Sequence, residues 1–339
     1  MRKIKVGING FGRIGRVAAR IILNSKNLEL AAINSRAESS SHAYLLQHDT
    51  TYGLFAKRVI ENKGNLEVEG KMINVFQENE PSNIPWSSAG VDVVIESTGI
   101  FRDKISASAH LDAGAGLVVI SAPPKDDIPT FCIGVNDELL DLNKFKIISN
   151  ASCTTNCLAT VAKVLEENFG IVKGFMTTVH SYTDSQNLLD NSHRKDFRLA
   201  RSAPNNMIPS STGASKALGL VLPSLKGKII SSSLRVPLNT VSIIDLTVII
   251  KKEADLKEIN NAFEKAAKNE LSGILELSYD HLVSSDLKGS TFSSVVDGSL
   301  TAVSGNMVNV KAWYDNEWGY TSRLIDLVEK AASNLFKTS

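Results

Sequence analysis

The chain has 339 residues, 43% of them hydrophobic and 22% charged, with a formal net charge of +1 from 37 basic and 36 acidic residues. That length suits two domains, and so even a charge balance gives no field to draw nucleic acid or an anionic membrane; an anionic ligand must be held by local groups. Three cysteines, Cys132, Cys153 and Cys157, cannot make a disulfide framework and read as reduced thiols.

In chain order, Ile4–Asn9 reads as an apolar strand, Gly10–Gly15 as a turn, Arg16–Leu23 as a helix and Leu28–Ile33 as a second strand. Lys57–Ile60, Asn65–Val68 and Met72–Val75 are short strand-like runs split by Gly64 and Gly70, a small antiparallel excursion. Val91–Glu96, Gly116–Ser121 and Lys146–Ser149 are rich in β-formers, and Lys104–Ala113 has helical spacing. Strands alternating with helices predict a parallel sheet with right-handed crossovers.

Beyond residue 152 the pattern changes. A helix over Thr154–Asn168 is followed by a strand over Gly174–His180. A polar segment, Ser181–Pro209, carries His193, Arg194, Lys195, Arg198 and Arg201. Then come a helix (Gly213–Leu222), strands (Ser231–Pro237 and Ser242–Lys251), a helix (Leu256–Leu271), a strand (Met307–Tyr314) and a terminal helix (Tyr320–Phe336). Longer strands with fewer alternations predict a mostly antiparallel sheet with helices on one face. No linker or repeat separates the halves, so the junction is a usual place for a ligand cleft. The N-terminus lacks the apolar segment of a signal peptide, and no run approaches the ~18 apolar residues of a membrane span. A soluble cytoplasmic protein is expected, with an organelle as the alternative.

Gly10-Phe11-Gly12-Arg13-Ile14-Gly15 fits G-x-G-x-x-G between a strand and a helix, the context in which the motif binds a dinucleotide. Gly10 permits the tight turn, Gly12 lets backbone approach a pyrophosphate, and Gly15 lets helix and strand pack closely. The alternative is a tight turn in another α/β protein. The expected fold is therefore α/β. A Rossmann-type doubly wound parallel sheet spans 1–152 with the terminal helix 318–339, and an α+β catalytic domain with a mostly antiparallel sheet spans 153–317. An NAD site needs a carboxylate after the second strand for the ribose 2′-OH. Here Asn34-Ser35-Arg36 stand at that point, with Glu38 beyond. Arg36 either holds a 2′-phosphate through its planar fork or points to solvent.

Cys153, in Ser149–Cys157, opens a helix, where the dipole favours a thiolate; the alternative is a buried structural cysteine, which suits Cys157 better. His180 ends a strand and is a candidate base for it, although a lone histidine is more often structural. Pro209–Lys216 is a hydroxyl-rich loop entering a helix, a candidate anion site. Arg235 ends a strand and could serve an anionic substrate or be an edge charge. Trp313–Tyr320 is either a site for a carboxamide, through Asn316, or a packing corner.

Taken together, INGFGRIGR, ASCTTNC at 151–157, TTVHSYT at 177–183, IPSSTGASKA at 208–217, LRVP at 234–237 and WYDNEWGY at 313–320 closely resemble the phosphorylating glyceraldehyde-3-phosphate dehydrogenase family. They occur in order across nearly the whole chain, and two of them are shared with its relative, erythrose-4-phosphate dehydrogenase, the alternative enzyme. The resemblance implies Cys153 as nucleophile and His180 as base. It implies Thr183 and Arg235 around the substrate phosphate and Ser152, Thr154, Thr212 and Gly213 around inorganic phosphate, with Arg201 also among the substrate and phosphate contacts. Cofactor contacts are implied at Gly10, Phe11, Gly12, Arg13, Ile14, Asn34, Ser35, Arg36, Asn79, Ser97, Thr98, Gly99, Ser121, Ser192, Asn316 and Tyr320. A homotetramer is implied, in which Ser181–Pro209 reaches the neighbouring subunit's cofactor; no metal, membrane or nucleic-acid partner is.

Four departures stand out. Asn34-Ser35 replaces the family's Asn-Asp. Asn191-Ser192 replaces Leu-Pro or Gly-Pro, and a serine there resembles the NADP-using chloroplast and cyanobacterial branch. Asn79 replaces an arginine near the adenine, and Ser185 replaces an aspartate near Thr183. The first two point to NADP, with NAD as the second possibility. A non-catalytic role in RNA binding is a third reading, without support from the net charge.

Overall fold

A computed structural model describes residues 2–193 and 196–335. Arg194 and Lys195 of the polar segment, and 336–339 at the end of the expected terminal helix, lie outside the described residues. The chain divides into two compact units, one of residues 1–132, 137–151 and 321–339, the other of 133–136 and 152–320.

The first unit runs β1 (Ile4–Asn9), α1 (Arg13–Asn24), β2 (Leu28–Asn34), α2 (Ser39–Gln47), β3 (Val59–Asn62), β4 (Asn65–Val68), β5 (Lys71–Phe76), β6 (Val93–Glu96), α3 (Lys104–Asp112), β7 (Leu117–Ile120) and β8 (Ile147–Ser149). Its sheet has the order β3-β4-β5-β2-β1-β6-β7-β8. From β5 to β8 all pairs are parallel, while β3–β4 and β4–β5 are antiparallel. The three-stranded excursion is thus joined to the parallel sheet through β5 rather than lying apart. The central strands β6 and β7 are buried along their whole length, as expected for parallel strands covered on both faces. Helix α1 buries Val17, Ala18, Ala19 and Ile22. It begins three residues earlier than the apolar spacing implies, directly after Gly12.

The second unit contains α4 (Cys153–Phe169), β9 (Ile171–Ser181), β10 (Ile208–Ser210), α5 (Ala214–Val221), β11 (Ile229–Val236), β12 (Ser242–Ile250), α6 (Leu256–Lys268), β13 (Leu275–Ser278), β14 (Ser294–Asp297), β15 (Ala302–Ser304) and β16 (Met307–Tyr314), followed by α7 (Trp318–Leu335). Only the first turn of α7 belongs to this unit. The sheet order is β10-β11-β9-β12-β16-β14-β13, with β15 on β16. It is mixed: β11–β9 and β13–β14 are parallel, the other pairs antiparallel. In β12 burial alternates strictly, with Ile244, Leu246, Val248 and Ile250 inward, so one face of the sheet carries the core. Helix α6 is started by a capping box between Asp255 and Glu258, which supplies about 0.5–2 kcal/mol of helix stability.

Candidate active site

The fingerprint turn has the geometry its glycines predict. Gly10 has φ +93°, and a Cβ there would lie 2.6 Å from the Thr98 nitrogen. A Cβ on Gly15 would lie 2.2 Å from the Gly10 oxygen, so only glycine lets α1 pack on the turn. Nothing lies within 4 Å of a Cβ on Gly12, which is exposed. Backbone is thus offered to an approaching ligand at the start of α1, where free N–H groups suit a pyrophosphate. These residues fit a dinucleotide.

Around the turn, the Ser97 hydroxyl donates to the carbonyls of Asn9 and Gly10, at 3.0 and 2.7 Å. Arg13 is tied to Asp49 at 2.5 Å, so it braces α1 against the segment after α2. Phe11 is buried edge-on against His42, with ring centres 5.3 Å apart. Gly99 has φ +72°, and Ser121 N–H donates to the Glu96 carbonyl. Ile14 is half-buried and Asn79 exposed.

At the end of β2, Asn34 is buried; its amide donates to Asn9 Oδ1 and its oxygen accepts from Glu78 N–H. Ser35 N–H donates to the Phe76 carbonyl, which leaves its hydroxyl available. Arg36 is exposed and makes no hydrogen bond or ion pair among the described residues. Glu38 is the exposed N-cap residue of α2.

In the second unit the thiol and the imidazole meet. Cys153 Sγ is 3.5 Å from His180 Nε2. Ala151, at φ +56° and fully buried, takes a backbone conformation disfavoured for a residue with a Cβ, and the chain turns there from β8 into α4. Ser152 caps α4 by accepting from Thr155 N–H at 3.1 Å. Parallel pairing of β9 with β11 sets Arg235 beside His180. His180 Nδ1 lies 2.7 Å from the Ser181 carbonyl and 2.6 Å from Arg235 Nη1, which also donates to that carbonyl at 3.1 Å. A neutral ring has two choices. It donates Nδ1–H to the carbonyl, leaving Nε2 to accept from the thiol, or it accepts from Arg235 and carries its proton toward sulfur.

The thiol does not behave as a helix N-terminus alone would have it. Burial pushes Cys153 above the ordinary thiol range, against the opposing pull of Arg235 and of the Thr154 hydroxyl and N–H. Burial, and then the Arg235 charge, lower His180 to about 3, with the Ser181 carbonyl opposing. The expectation of a depressed thiol pKa is thus corrected. Desolvation outweighs the pull of Arg235 and of the Thr154 contacts on the thiol, and together with Arg235 it disfavours the imidazolium.

Tyr314 was not singled out by sequence, although its inward position on β16 is the available signal. Its hydroxyl bridges Thr154 Oγ1 at 2.9 Å and Thr178 Oγ1 at 2.8 Å, so it ties the start of α4 to β9. Asn316 Oδ1 accepts from the hydroxyls of Ser181 and Ser242, both at 3.0 Å, which fixes its flip and leaves Nδ2 to donate. Tyr320 is buried, with its N–H to the Asp315 carbonyl. Thr183 Oγ1 lies 2.9 Å from Ser185 Oγ, so the serine keeps a polar contact with it. Thr212 accepts from Ala214 N–H, and Gly213 is the N-cap of α5. Arg201 is exposed and paired with Asp190 at 2.8 Å; no hydrogen bond among the described residues joins it to the thiol pocket. Ser192 is exposed, its N–H held by Asn191 Oδ1.

One unit thus carries a dinucleotide turn, and the other a thiol–imidazole pair beside a cation. Residues 4–104 match the family model described as glyceraldehyde 3-phosphate dehydrogenase, NAD binding domain, and residues 152–316 match that of the C-terminal domain. The chain is 50% identical over 324 residues to glyceraldehyde-3-phosphate dehydrogenase 1 of Bacillus cereus, covering 95% of this chain and 97% of that one. It is 50% identical over 336 residues to the chloroplastic glyceraldehyde-3-phosphate dehydrogenase A of Chlamydomonas reinhardtii, covering 98% and 89%. The chain belongs to the glyceraldehyde-3-phosphate dehydrogenase family. Among the described residues no helix is long and apolar enough to cross a membrane.

Proposed function

We propose that the chain oxidises D-glyceraldehyde 3-phosphate to 1,3-bisphosphoglycerate, reversibly, with NADP as its preferred cofactor and NAD as a second. The observation that carries the chemistry is the 3.5 Å contact between Cys153 Sγ and His180 Nε2 beside Arg235. In this reading the substrate phosphate is held by Arg235 and Thr183. With Arg235 drawn onto that anion, His180 Nδ1–H is left to the Ser181 carbonyl and Nε2 becomes the acceptor. Sulfur bonds to the aldehyde carbon, and the thiol proton passes through Nε2 to give a thiohemiacetal. Its oxygen sits toward the Cys153 N–H and the imidazole, donors suited to a developing oxyanion. The bound nicotinamide supplies the hydride acceptor, and Asn316 Nδ2 is the group left to orient its carboxamide. Nε2 takes the hydroxyl proton as the thioester forms on Cys153. Inorganic phosphate, held by Ser152, Thr154 and the Thr212-Gly213 turn, attacks the thioester carbon and releases the acyl phosphate with the thiol restored.

The preference for NADP rests on the 2′ loop. Identity to bacterial and chloroplastic relatives is equal, 50% in each case, so overall similarity does not choose. The loop residues favour NADP in this reading: β2 ends without a carboxylate, Ser35 offers a hydroxyl, and Arg36 is exposed and unpaired among the described residues. Steady-state kinetics with NAD and NADP side by side test this, and a higher kcat/KM with NAD overturns it. Faster turnover of erythrose 4-phosphate, independent of inorganic phosphate, overturns the substrate. Cytoplasmic location is the accompanying reading.

A homotetramer completes the proposal. Phe175 and Ile230 are register partners on β9 and β11 and are 66% and 61% exposed. An apolar pair left on an open sheet face favours burial against another copy. Sedimentation of the purified chain as a monomer would overturn it.

A further inference from the structure

Beneath the fingerprint lies a buried polar network that the reaction does not use directly. Its centre is Glu96, at the end of β6 and only 1% exposed. Oε2 accepts from Asn9 Nδ2 at 2.6 Å and meets His110 Nε2 at 3.1 Å. Oε1 accepts from Thr98 N–H at 2.8 Å and from the Thr98 hydroxyl. The orientation of each donor is fixed from outside. Trp86 Nε1–H, which can only donate, points at His110 Nδ1 at 3.0 Å, so the His110 proton is on Nε2 and faces the carboxylate. At the other end Asn34 is held by both backbone groups of Glu78 and donates to Asn9 Oδ1 at 2.8 Å. The Asn9 amide nitrogen is thereby turned toward Glu96. Four donors converge on one group that must accept all of them.

We propose that Glu96 is a positioning residue for the dinucleotide: as the common acceptor for Asn9, His110 and Thr98, it fixes the ends of β2, β1 and β6 from which the three cofactor loops depart. Asn34 precedes Ser35, Asn9 precedes Gly10, and Thr98 precedes Gly99. These are the carboxyl ends of adjacent parallel strands, where such sheets bind ligands. The inference rests on the fingerprint being the cofactor site. A glutamine at 96 has no satisfactory arrangement. Its NH2 faces either the fixed Thr98 N–H or the amide of Asn9, and Asn9 cannot turn without setting its own NH2 against that of Asn34.

The test is calorimetric titration of the full chain and of Glu96→Gln with NAD and NADP. A donor facing a donor should raise both dissociation constants about 5- to 150-fold, while the rate of Cys153 alkylation by iodoacetamide without cofactor stays the same. Asn34→Ala should raise them as well, and the double variant by less than the product, because both changes break one chain of bonds. Dissociation constants within twofold of the native chain, or independent multiplication, overturn the proposal. So does a parallel change in thiol alkylation in either direction, which would mark a disturbance reaching beyond the cofactor loops. If Glu96→Gln does not fold, Glu96→Asp carries the test: it keeps the acceptor but draws it back, and unchanged binding overturns the inference. A native chain that binds neither dinucleotide refutes the cofactor site itself, and the proposal with it.

Discussion

The thiol pocket and the 2′ loop are built on opposite terms. Around Cys153, regular elements converge: α4 starts at the thiol, β9 ends just past the imidazole, and β11 sets the guanidinium beside it. Around Arg36 there is exposed chain between β2 and α2, with the Gln77 amide on the Ala37 carbonyl and little else. Atoms that react must be held to a few tenths of an ångström, so they are built on strands and helices. A group that selects between two ribose substituents needs charge and reach more than fixity, and a loop supplies both.

The sharpest test of the rigid side is the thiol. Cys153→Ser should lower turnover by roughly 10⁴-fold or more, as for other enzymes stripped of a nucleophile, with cofactor dissociation constants unchanged. The same variant should lose all fast alkylation by iodoacetamide, because Cys132 and Cys157 are fully buried whereas Cys153 is only half-buried. A variant retaining a tenth of native turnover would remove Cys153 from the chemistry. Next in size, His180→Asn should cost about 10²- to 10⁴-fold in kcat, the range for a positioned general base. The thiol would remain with its helix cap from Ser152, so substrate KM should move far less than kcat. An equal shift in both would make His180 a binding group instead.

On the loop side the expected effects are smaller. Arg36→Ala should lower kcat/KM for NADP by about 5- to 150-fold, the worth of a charge-assisted contact to phosphate, and leave that for NAD nearly unchanged. An unaltered NADP/NAD ratio would show that Arg36 faces solvent in the complex, and the contrast between the two regions would then concern structure alone.

The same contrast explains what the sequence disclosed. Motifs such as ASCTTNC and the glycine turn were legible because a cap, a sharp turn and close packing each demand particular residue types. Residues 39–47 were not assigned a helix, because their serine-rich run has weak periodicity and Glu38 caps them without a side-chain bond. The short strands β10, β13, β14 and β15 were missed for a related reason: three or four residues carry too little alternation, and only their neighbours in the sheet define them. Glu96 and His110 escaped notice because buried polar residues inside apolar runs have no local signature. Their meaning lies in partners up to 87 residues away along the chain. The start of α4 at Cys153 is visible in the sequence, whereas the burial that raises the thiol's pKa is not.

The smallest effect turns the rigid pocket's burial into a stability measurement. His180 is held neutral, its pKa lowered from 6.5 to about 3 by burial and then by Arg235. In the unfolded chain it titrates near its ordinary value. Between those limits the unfolded state binds about one more proton than the folded state, so stability rises with pH across that window and falls as pH drops below about 6.5. The slope attributable to His180 is about 1 kcal/mol per pH unit. Denaturant unfolding of Cys153→Ser and of Cys153→Ser/His180→Asn at pH 5 and pH 6 isolates it, since both chains lack the reactive thiol. The single variant should lose about 1 kcal/mol more between the two pH values than the double variant. Equal losses would mean that the imidazole is protonated inside the fold. Burial would then not be what sets the protonation of His180.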